Sequence, residues 1–166
     1  MAIPVMAILA TPMLAQSTCG TAVSSGSHFQ KGSVTGTIDS TGDVTIKATE
    51  AGLGYGDVCW TVTADVSATY FCRTKSGNIP DASNKHTVNE AVSAGGTFPT
   101  KNGKVTASLT LDAPAAPVSE PPTCGNGQTL DLQNITYSNV TLTDTTNNVT
   151  GLSGGTFSLT LFPAPK

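Results

Sequence analysis

Along most of this chain, threonine or serine alternates with an aliphatic or aromatic residue. Successive side chains of a β-strand point to opposite faces of a sheet, so a period of two predicts strands with one apolar and one hydroxylated face. Turn signals separate these runs at the spacing that β-sandwiches show. The pattern therefore predicts an all-β fold, an antiparallel β-sandwich of immunoglobulin-like architecture with about eight or nine strands. The alternating runs are 33–38, 44–49, 60–64, 105–111, 140–143 and 157–161.

The segments between the runs predict how the strands are connected. Residues 39–43 contain Gly42 between two aspartates and predict a hairpin turn between neighbouring strands. Residues 101–104 contain the pair Asn102-Gly103, which is typical of tight hairpins. Residues 113–122 are rich in proline, which predicts an extended and solvated crossover.

The alternation slips twice in the C-terminal part of the chain. Apolar positions are even-numbered from Leu130, odd-numbered from Ile135 and even-numbered again from Val140. One extra residue in a strand reverses the faces of all the residues that follow it. The slips therefore predict one β-bulge near residues 133–134 and a second near residues 138–139.

Composition limits the classes of partner. The chain has 166 residues, of which 11% are charged, and its formal net charge is −3. This length suits one domain with a buried core. Nucleic-acid binding requires a basic patch, and the eight lysines and arginines are scattered along the chain. We expect no nucleic-acid partner, and low charge with abundant threonine and serine is typical of secreted and cell-surface β-proteins.

The first residues favour export. The segment from Ile3 to Leu14 is almost wholly apolar, but it is shorter than the roughly 20 residues that span a bilayer. It resembles the hydrophobic part of a secretory signal, although no lysine or arginine precedes it. We expect residues 1–15 to be a signal peptide or a retained apolar arm, 16–32 a polar segment and 33–166 a single sandwich domain. Both alternatives predict an extracellular protein, secreted or at the cell surface, with no transmembrane span.

The four cysteines of the chain are Cys19, Cys59, Cys72 and Cys124. An even number in an exported chain predicts two disulfide bonds. If residues 60–71 form a tight hairpin, Cys59 and Cys72 lie opposite each other at a separation that a disulfide can bridge. The turn of this hairpin lacks the glycine or asparagine that two-residue loops favour. We expect a Cys59–Cys72 bond, with Cys19 and Cys124 left to pair, and no metal site, because there is no CxxC spacing and no Cys/His cluster.

Two cysteine-containing segments stand out from the alternating pattern, VCWTVTA at 58–64 and ATYFC at 68–72. Together with TCGNGQTL at 123–130 and ITYSNV at 135–140, they resemble small secreted proteins of filamentous fungi and actinomycetes. The resemblance covers roughly residues 33–148. It implies export and an all-β domain, and it implies neither an assigned activity nor an established site.

The chain shows no catalytic motif. Its two histidines, His28 and His86, lie in neither a G-x-S-x-G nor an H-E-x-x-H context. Glycoside hydrolysis needs two acids held across a cleft, whereas most aspartates here occur in turns, where Asx-turn chemistry explains them. The oxygen-rich turns 39–43 and 144–148 leave calcium as a lesser alternative. We expect no enzymatic activity, no metal and no cofactor.

Two tyrosines are candidate ligand contacts. Sugar-binding β-sandwiches present exposed aromatic rings that stack on pyranose faces. Tyr55, between two glycines, is the better candidate, and Tyr70 on the face opposite Trp60 is the second. We expect Trp60, the single tryptophan, to belong to the core.

Three N-glycosylation sequons begin at Asn134, Asn139 and Asn148. A chain rich in threonine and serine produces such motifs by chance, so the number of sequons carries little weight. Asn148 is the most credible acceptor because it falls in a predicted turn.

These observations favour a non-catalytic structural or interaction protein of the cell surface or extracellular matrix. A carbohydrate-binding module is the first alternative. In the second, the protein is a subunit of an extracellular filament that uses the N-terminal apolar segment as a donor strand. The expected partners are polysaccharides, other surface proteins or further copies of the chain, the last through sheet edges.

Overall fold

The computed structural model of the protein describes residues 20–76, 84–116 and 123–162. Eight β-strands occupy these residues. They are β1 (His28–Phe29), β2 (Thr35–Ile38), β3 (Val44–Ala51), β4 (Asp57–Thr74), β5 (Lys85–Pro99), β6 (Lys104–Leu111), β7 (Gln128–Asp144) and β8 (Val149–Thr160). No helix in this part of the chain is long and apolar enough to cross a bilayer.

The strands form two antiparallel sheets of four strands each. In the short sheet, β3 is central, with β6 on one edge and both β1 and β2 on the other. In the long sheet the order is β5-β4-β7-β8. The two sheets pack face to face, which confirms the prediction of an all-β antiparallel sandwich.

The core lies between the two sheets. Along β3, Val44, Ile46 and Ala48 are buried, and the threonines and the lysine between them are not. Within the core, the Trp60 ring lies between Phe29 and Phe98, with ring centroids 5.3 Å and 5.2 Å away. The burial of Trp60 agrees with the expectation from its position in the alternating pattern.

The hydroxyl-bearing positions face outward, as the alternation predicts. Thr45 and Thr110 form a side-chain hydrogen bond of 3.0 Å across β3 and β6. Thr69 and Thr87 form an equivalent bond of 3.0 Å across β4 and β5. Cross-strand threonine pairs of this kind stabilise a sheet on its solvent side.

The prediction of a hairpin within residues 60–71 is wrong. These residues belong to β4, one continuous strand of 18 residues that pairs with β5 on one side and β7 on the other. Asp65 and Val66, the expected turn residues, lie in the middle of that strand and are paired with β5 and β7. Neither is a residue that two-residue turns favour.

The continuity of β4 also overturns the expected Cys59–Cys72 disulfide. Thirteen positions of extended strand separate the two residues by roughly 40 Å. Cys72 instead bonds to Cys124, with a Cα–Cα distance of 5.3 Å, and links β4 to the segment before β7. Cys59 is also disulfide-bonded, and Cys19 lies outside the described residues.

Both predicted β-bulges are present in β7. Its register against β4 shifts at Gln133, where Leu132 faces Tyr70 and Asn134 faces Thr69. A second shift occurs beside Asn139, which adopts a left-handed backbone with φ of +55°. The extra residues return the apolar side chains of β7 to the core after each slip.

The turn at 39–43 forms as predicted between β2 and β3. Oδ1 of Asp39 accepts hydrogen bonds from the backbone N–H groups of Thr41 (2.8 Å) and Asp43 (3.1 Å). This is the expected Asx-turn chemistry. The hydrogen bonds with Thr41 hold the pKa of the Asp39 carboxyl below its usual value.

The start of the proline-rich crossover is packed rather than solvated. Pro114 is buried, and its carbonyl oxygen accepts a hydrogen bond from the Tyr70 hydroxyl. The Ala113 N–H donates to Oδ1 of Asp43 at 2.8 Å. Ala113 and Ala116 pack against the hydrophobic core. Residues 117–122 lie outside the described part of the chain.

Candidate functional site at the loop end

Four segments meet at one end of the sandwich, which we call the loop end: residues 20–27, 52–56, 100–103 and 145–148. Two large hydrophobic side chains are exposed there, Tyr55 at 96% and Val23 at 70%. They are the exposed large hydrophobic residues of the described chain. Single exposed hydrophobic residues are ordinary on protein surfaces, so exposure alone does not identify a binding site. The contacts that hold the Tyr55 loop are therefore the more informative observation.

The loop that carries Tyr55 is anchored on both sides of the tyrosine. The backbone N–H of Thr100 donates to the carbonyl oxygen of Gly56, and its hydroxyl donates to that of Gly54, each at 2.9 Å. The N–H of Leu53 donates to Gly103 at 3.1 Å, and the Leu53 side chain is buried. Tyr55 therefore projects from a loop whose backbone is bonded to the 100–103 turn.

Gly56 is one position at which this loop requires glycine. Its φ of +116° lies in a region that other residues rarely adopt. A β-carbon at this position would lie 2.1 Å from the hydroxyl oxygen of Thr21. The close approach brings the N-terminal segment against the loop.

The N-terminal segment lies beside the Tyr55 loop. The N–H of Ala22 donates to the carbonyl oxygen of Asp57 at 3.2 Å, and Ala22 itself is buried. A β-carbon at Gly54 would lie 2.9 Å from the carbonyl oxygen of Val23. Tyr55 and Val23 are thus exposed from adjoining segments of one surface.

Two lysines flank the turn that anchors the loop. Lys101 and Lys104 pair as the ends of a tight turn in which Asn102 and Gly103 have φ of +51° and +71°. Both lysines are exposed, and neither forms a salt bridge with a described residue. They border a cleft of about 460 Å³ at the seam between the sheets, lined also by Phe98, Pro99, Val105 and Thr106.

Beneath the loops lies a pair of fully buried carboxyl groups, Glu50 and Asp144. Oε2 of Glu50 accepts a hydrogen bond of 2.7 Å from Nε1 of Trp60. Burial raises the pKa of Glu50 to about 7, the hydrogen bond from Trp60 opposes the rise, and the Asp144 carboxyl adds to it. Oε1 of Glu50 has no other partner among the described residues. When it carries the proton, it can donate a hydrogen bond to the Asp144 carboxyl group.

Asp144 accepts several hydrogen bonds from the turn that follows it. Its Oδ1 accepts from the N–H groups of Thr146 (2.7 Å) and Asn147 (3.2 Å), and its Oδ2 accepts from Nδ2 of Asn147 (2.6 Å). Asn147 in turn bonds to Ala22 and Ser24 of the N-terminal segment. The buried pair therefore supports the loops from below.

Sequence reasoning missed the role of Glu50, although the signal was present. Glu50 has the same parity as Val44, Ile46 and Ala48, so the alternation of β3 directs its carboxyl into the core. No local pattern indicates that its neighbours are Trp60 and Asp144, since both come from the other sheet.

The structure separates the two candidate tyrosines. Tyr70 is 6% exposed, its side chain faces the core, and its hydroxyl bonds to Pro114. The expectation that Tyr70 contacts a ligand is therefore wrong, because the uninterrupted β4 places it on the same face as Trp60. Tyr55 is the exposed member of the pair.

The three sequon asparagines have different surroundings. Asn148 is exposed in the turn between β7 and β8, with φ of +56°. Asn139 is exposed at the second bulge, and its amide donates to Oδ2 of Asp65 at 2.8 Å. Asn134 is half-buried within β7, between β4 and β8. Glycosylation at these positions stays a prediction.

No protein-family model matches the chain, and searches of the curated proteins and of the solved structures gave no match. The resemblance to small secreted fungal and actinomycete proteins therefore stays a prediction. Within the described part of the chain, no three His, Cys, Asp or Glu residues come together as a metal-binding group.

Proposed function

We propose that this protein is a non-catalytic interaction protein of the cell surface or extracellular matrix, and that the loop end contacts its partner. The observation that carries the proposal is the exposed Tyr55 ring on a loop bonded to Thr100 through both of its glycines. An aromatic side chain on a fixed loop offers a large contact area and loses little conformational entropy on binding.

Export fits the covalent structure. The Cys72–Cys124 disulfide is of a kind that persists in oxidising compartments outside the cytosol. The hydroxylated outer faces keep the protein hydrated with few charges, which suits a surface or matrix setting. We also propose that the two-sheet arrangement is immunoglobulin-like in its topology.

A carbohydrate-binding module is the more specific form of this proposal. The apolar face of a pyranose ring packs against an exposed aromatic ring. Tyr55 presents such a ring on a loop bonded to Thr100, and both chain neighbours of Thr100 line the cleft. In this form of the proposal the partner is a polysaccharide. The donor-strand alternative depends on residues 3–14, which lie outside the described chain and leave it a prediction.

The test is binding of the intact protein to isolated cell-surface material and to a panel of immobilised polysaccharides. We expect retention that Tyr55→Ala reduces at least severalfold and that Tyr55→Phe largely preserves, because the ring remains. Binding of Tyr55→Ala equal to that of the wild type would place the partner surface elsewhere. Retention on cell-surface protein but on no polysaccharide would favour a protein partner over a carbohydrate.

A further inference from the structure

We infer that the loop end recognises an acidic polysaccharide, one whose sugar rings carry carboxylates, through Tyr55 together with Lys101 and Lys104. The inference rests on the carbohydrate-binding form of the proposed function and names its ligand class. A uronic acid residue has an apolar ring face and a carboxylate at the edge of the same ring. These two features match an aromatic ring beside two ammonium groups.

Backbone contacts bring the three residues together at the loop end. Thr100 is hydrogen-bonded to both glycines that flank Tyr55, and Lys101 is the next residue in the chain. Neighbouring Cα atoms lie about 3.8 Å apart, so the Lys101 side chain begins at the base of the Tyr55 loop. Lys104 pairs with Lys101 across the turn.

The charges at this surface favour an anionic ligand. The chain is acidic overall, with a net charge of −3, yet it places two of its eight basic residues in a single four-residue turn. Neither lysine has a carboxylate partner among the described residues, so both are available to a ligand. The strand pairing brings Asp57 opposite Pro99, and this exposed acid restricts an anionic ligand to the lysine side of the loop.

The adjoining cleft is of a size that suits a sugar. Its volume of about 460 Å³ lies within the range of roughly 300–1,000 Å³ that is usual for small-ligand sites. Phe98 and Val105 form its apolar part, and Phe98 is braced by the Trp60 ring at 5.2 Å. The two lysines stand at its border, where an ion pair with a ligand stays partly hydrated and sensitive to salt.

The experiment compares two forms of one polymer, polygalacturonate and its fully methyl-esterified derivative, which lacks the negative charges. Binding of the intact protein is measured by affinity electrophoresis at low salt and in about 0.5 M NaCl, where the Debye length is only a few ångströms. We expect binding to polygalacturonate that salt weakens, and clearly weaker binding to the ester.

The variants separate a site from a general charge effect. Tyr55→Ala and the double variant Lys101→Ala/Lys104→Ala should each weaken binding to polygalacturonate by roughly tenfold, as expected for lost stacking or charge-assisted hydrogen bonds. The matched control, Lys47→Ala/Lys75→Ala, removes the same charge from exposed positions away from the loop end. It should change the affinity less than twofold.

Each outcome bears on a separate proposal. Equal binding of the ester, or an equal loss in the control, would overturn the acidic ligand and leave the carbohydrate-binding function standing. Retention on dextran sulfate but not on polygalacturonate would also overturn it, because carboxylates would then not be the recognised group. Failure of every polysaccharide and of all cell-surface material to bind would sink the proposed function as well.

Discussion

Trp60 of β4 and Glu50 of β3 are joined by a hydrogen bond of 2.7 Å that crosses the interior from one sheet to the other. The acceptor is a carboxyl group with no exposed surface. An ionised carboxylate in such a place is strongly disfavoured unless it is compensated by a positive charge or by several donors. Glu50 has one donor and the neighbouring Asp144 carboxyl, so its protonated form is favoured in the folded protein up to a pH of about 7.

Stability should therefore fall as the pH rises from about 4.5 to about 7. The pKa of Glu50 is raised to about 7 in the folded protein, above its ordinary value of 4.5, so the folded state holds a proton that the unfolded state releases in this interval. The contribution is fully present below pH 4.5 and lost above pH 7. We expect a decrease in the free energy of unfolding of up to about 3 kcal/mol, measured by urea denaturation at several pH values.

The variant Glu50→Gln is the control for this titration. A glutamine keeps the hydrogen bond from Trp60 and can donate to Asp144, but it does not titrate. The decrease between pH 4.5 and 7 should disappear in this variant. A decrease of unchanged size would mean that other groups cause it.

Gly56→Ala should destabilise the protein more than the same substitution at a positive-φ glycine with open surroundings. The alanine would be strained at φ of +116°, and its β-carbon would lie 2.1 Å from the Thr21 hydroxyl. Gly154→Ala is the matched control, because Gly154 has φ of +73° with nothing within 4 Å of the added carbon. We expect a loss of about 1 kcal/mol for Gly154→Ala and roughly 2–4 kcal/mol for Gly56→Ala, measured by urea denaturation. Equal losses would show that the contact with Thr21 yields freely.

Replacing the disulfide by serines, Cys72→Ser/Cys124→Ser, should lower the free energy of unfolding by about 4 kcal/mol. This value follows from the entropy of closing a loop across a sequence separation of 52. The pairing itself is checked by mass spectrometry of an unreduced digest with a protease that cuts between Cys59 and Cys72. A peptide that joins Cys59 to Cys72 would contradict the structure.

In a secretion host that attaches N-glycans, Asn148 should be modified and Asn134 should not. Asn148 is exposed in a turn, whereas Asn134 is half-buried in a strand that is paired on both sides. Intact-mass measurement should show the loss of one glycan in Asn148→Gln and also in Thr150→Ala, which removes the same sequon. If neither variant loses the mass of a glycan, the prediction is contradicted.

The period-two alternation determines the local features of this fold. It predicts which positions of each strand face the core, and its two slips predict the bulges that the structure shows at Gln133 and beside Asn139. Such patterns are readable because the direction of a side chain depends on the backbone of its own strand. The turn at 39–43 was readable for the same reason, since the Asp39 side chain bonds to the backbone of its own turn.

The relationships between distant segments arise from sheet packing, and local pattern does not contain them. Whether β4 turns back at Asp65 or runs on depends on its pairing with β5 and β7, and that continuity puts Cys72 beside Cys124 and Tyr70 in the core. The partners of Glu50 likewise come from the opposite sheet. The alternation thus specifies a hydroxylated sandwich, whereas the support beneath Tyr55 exists only once the loop end is assembled.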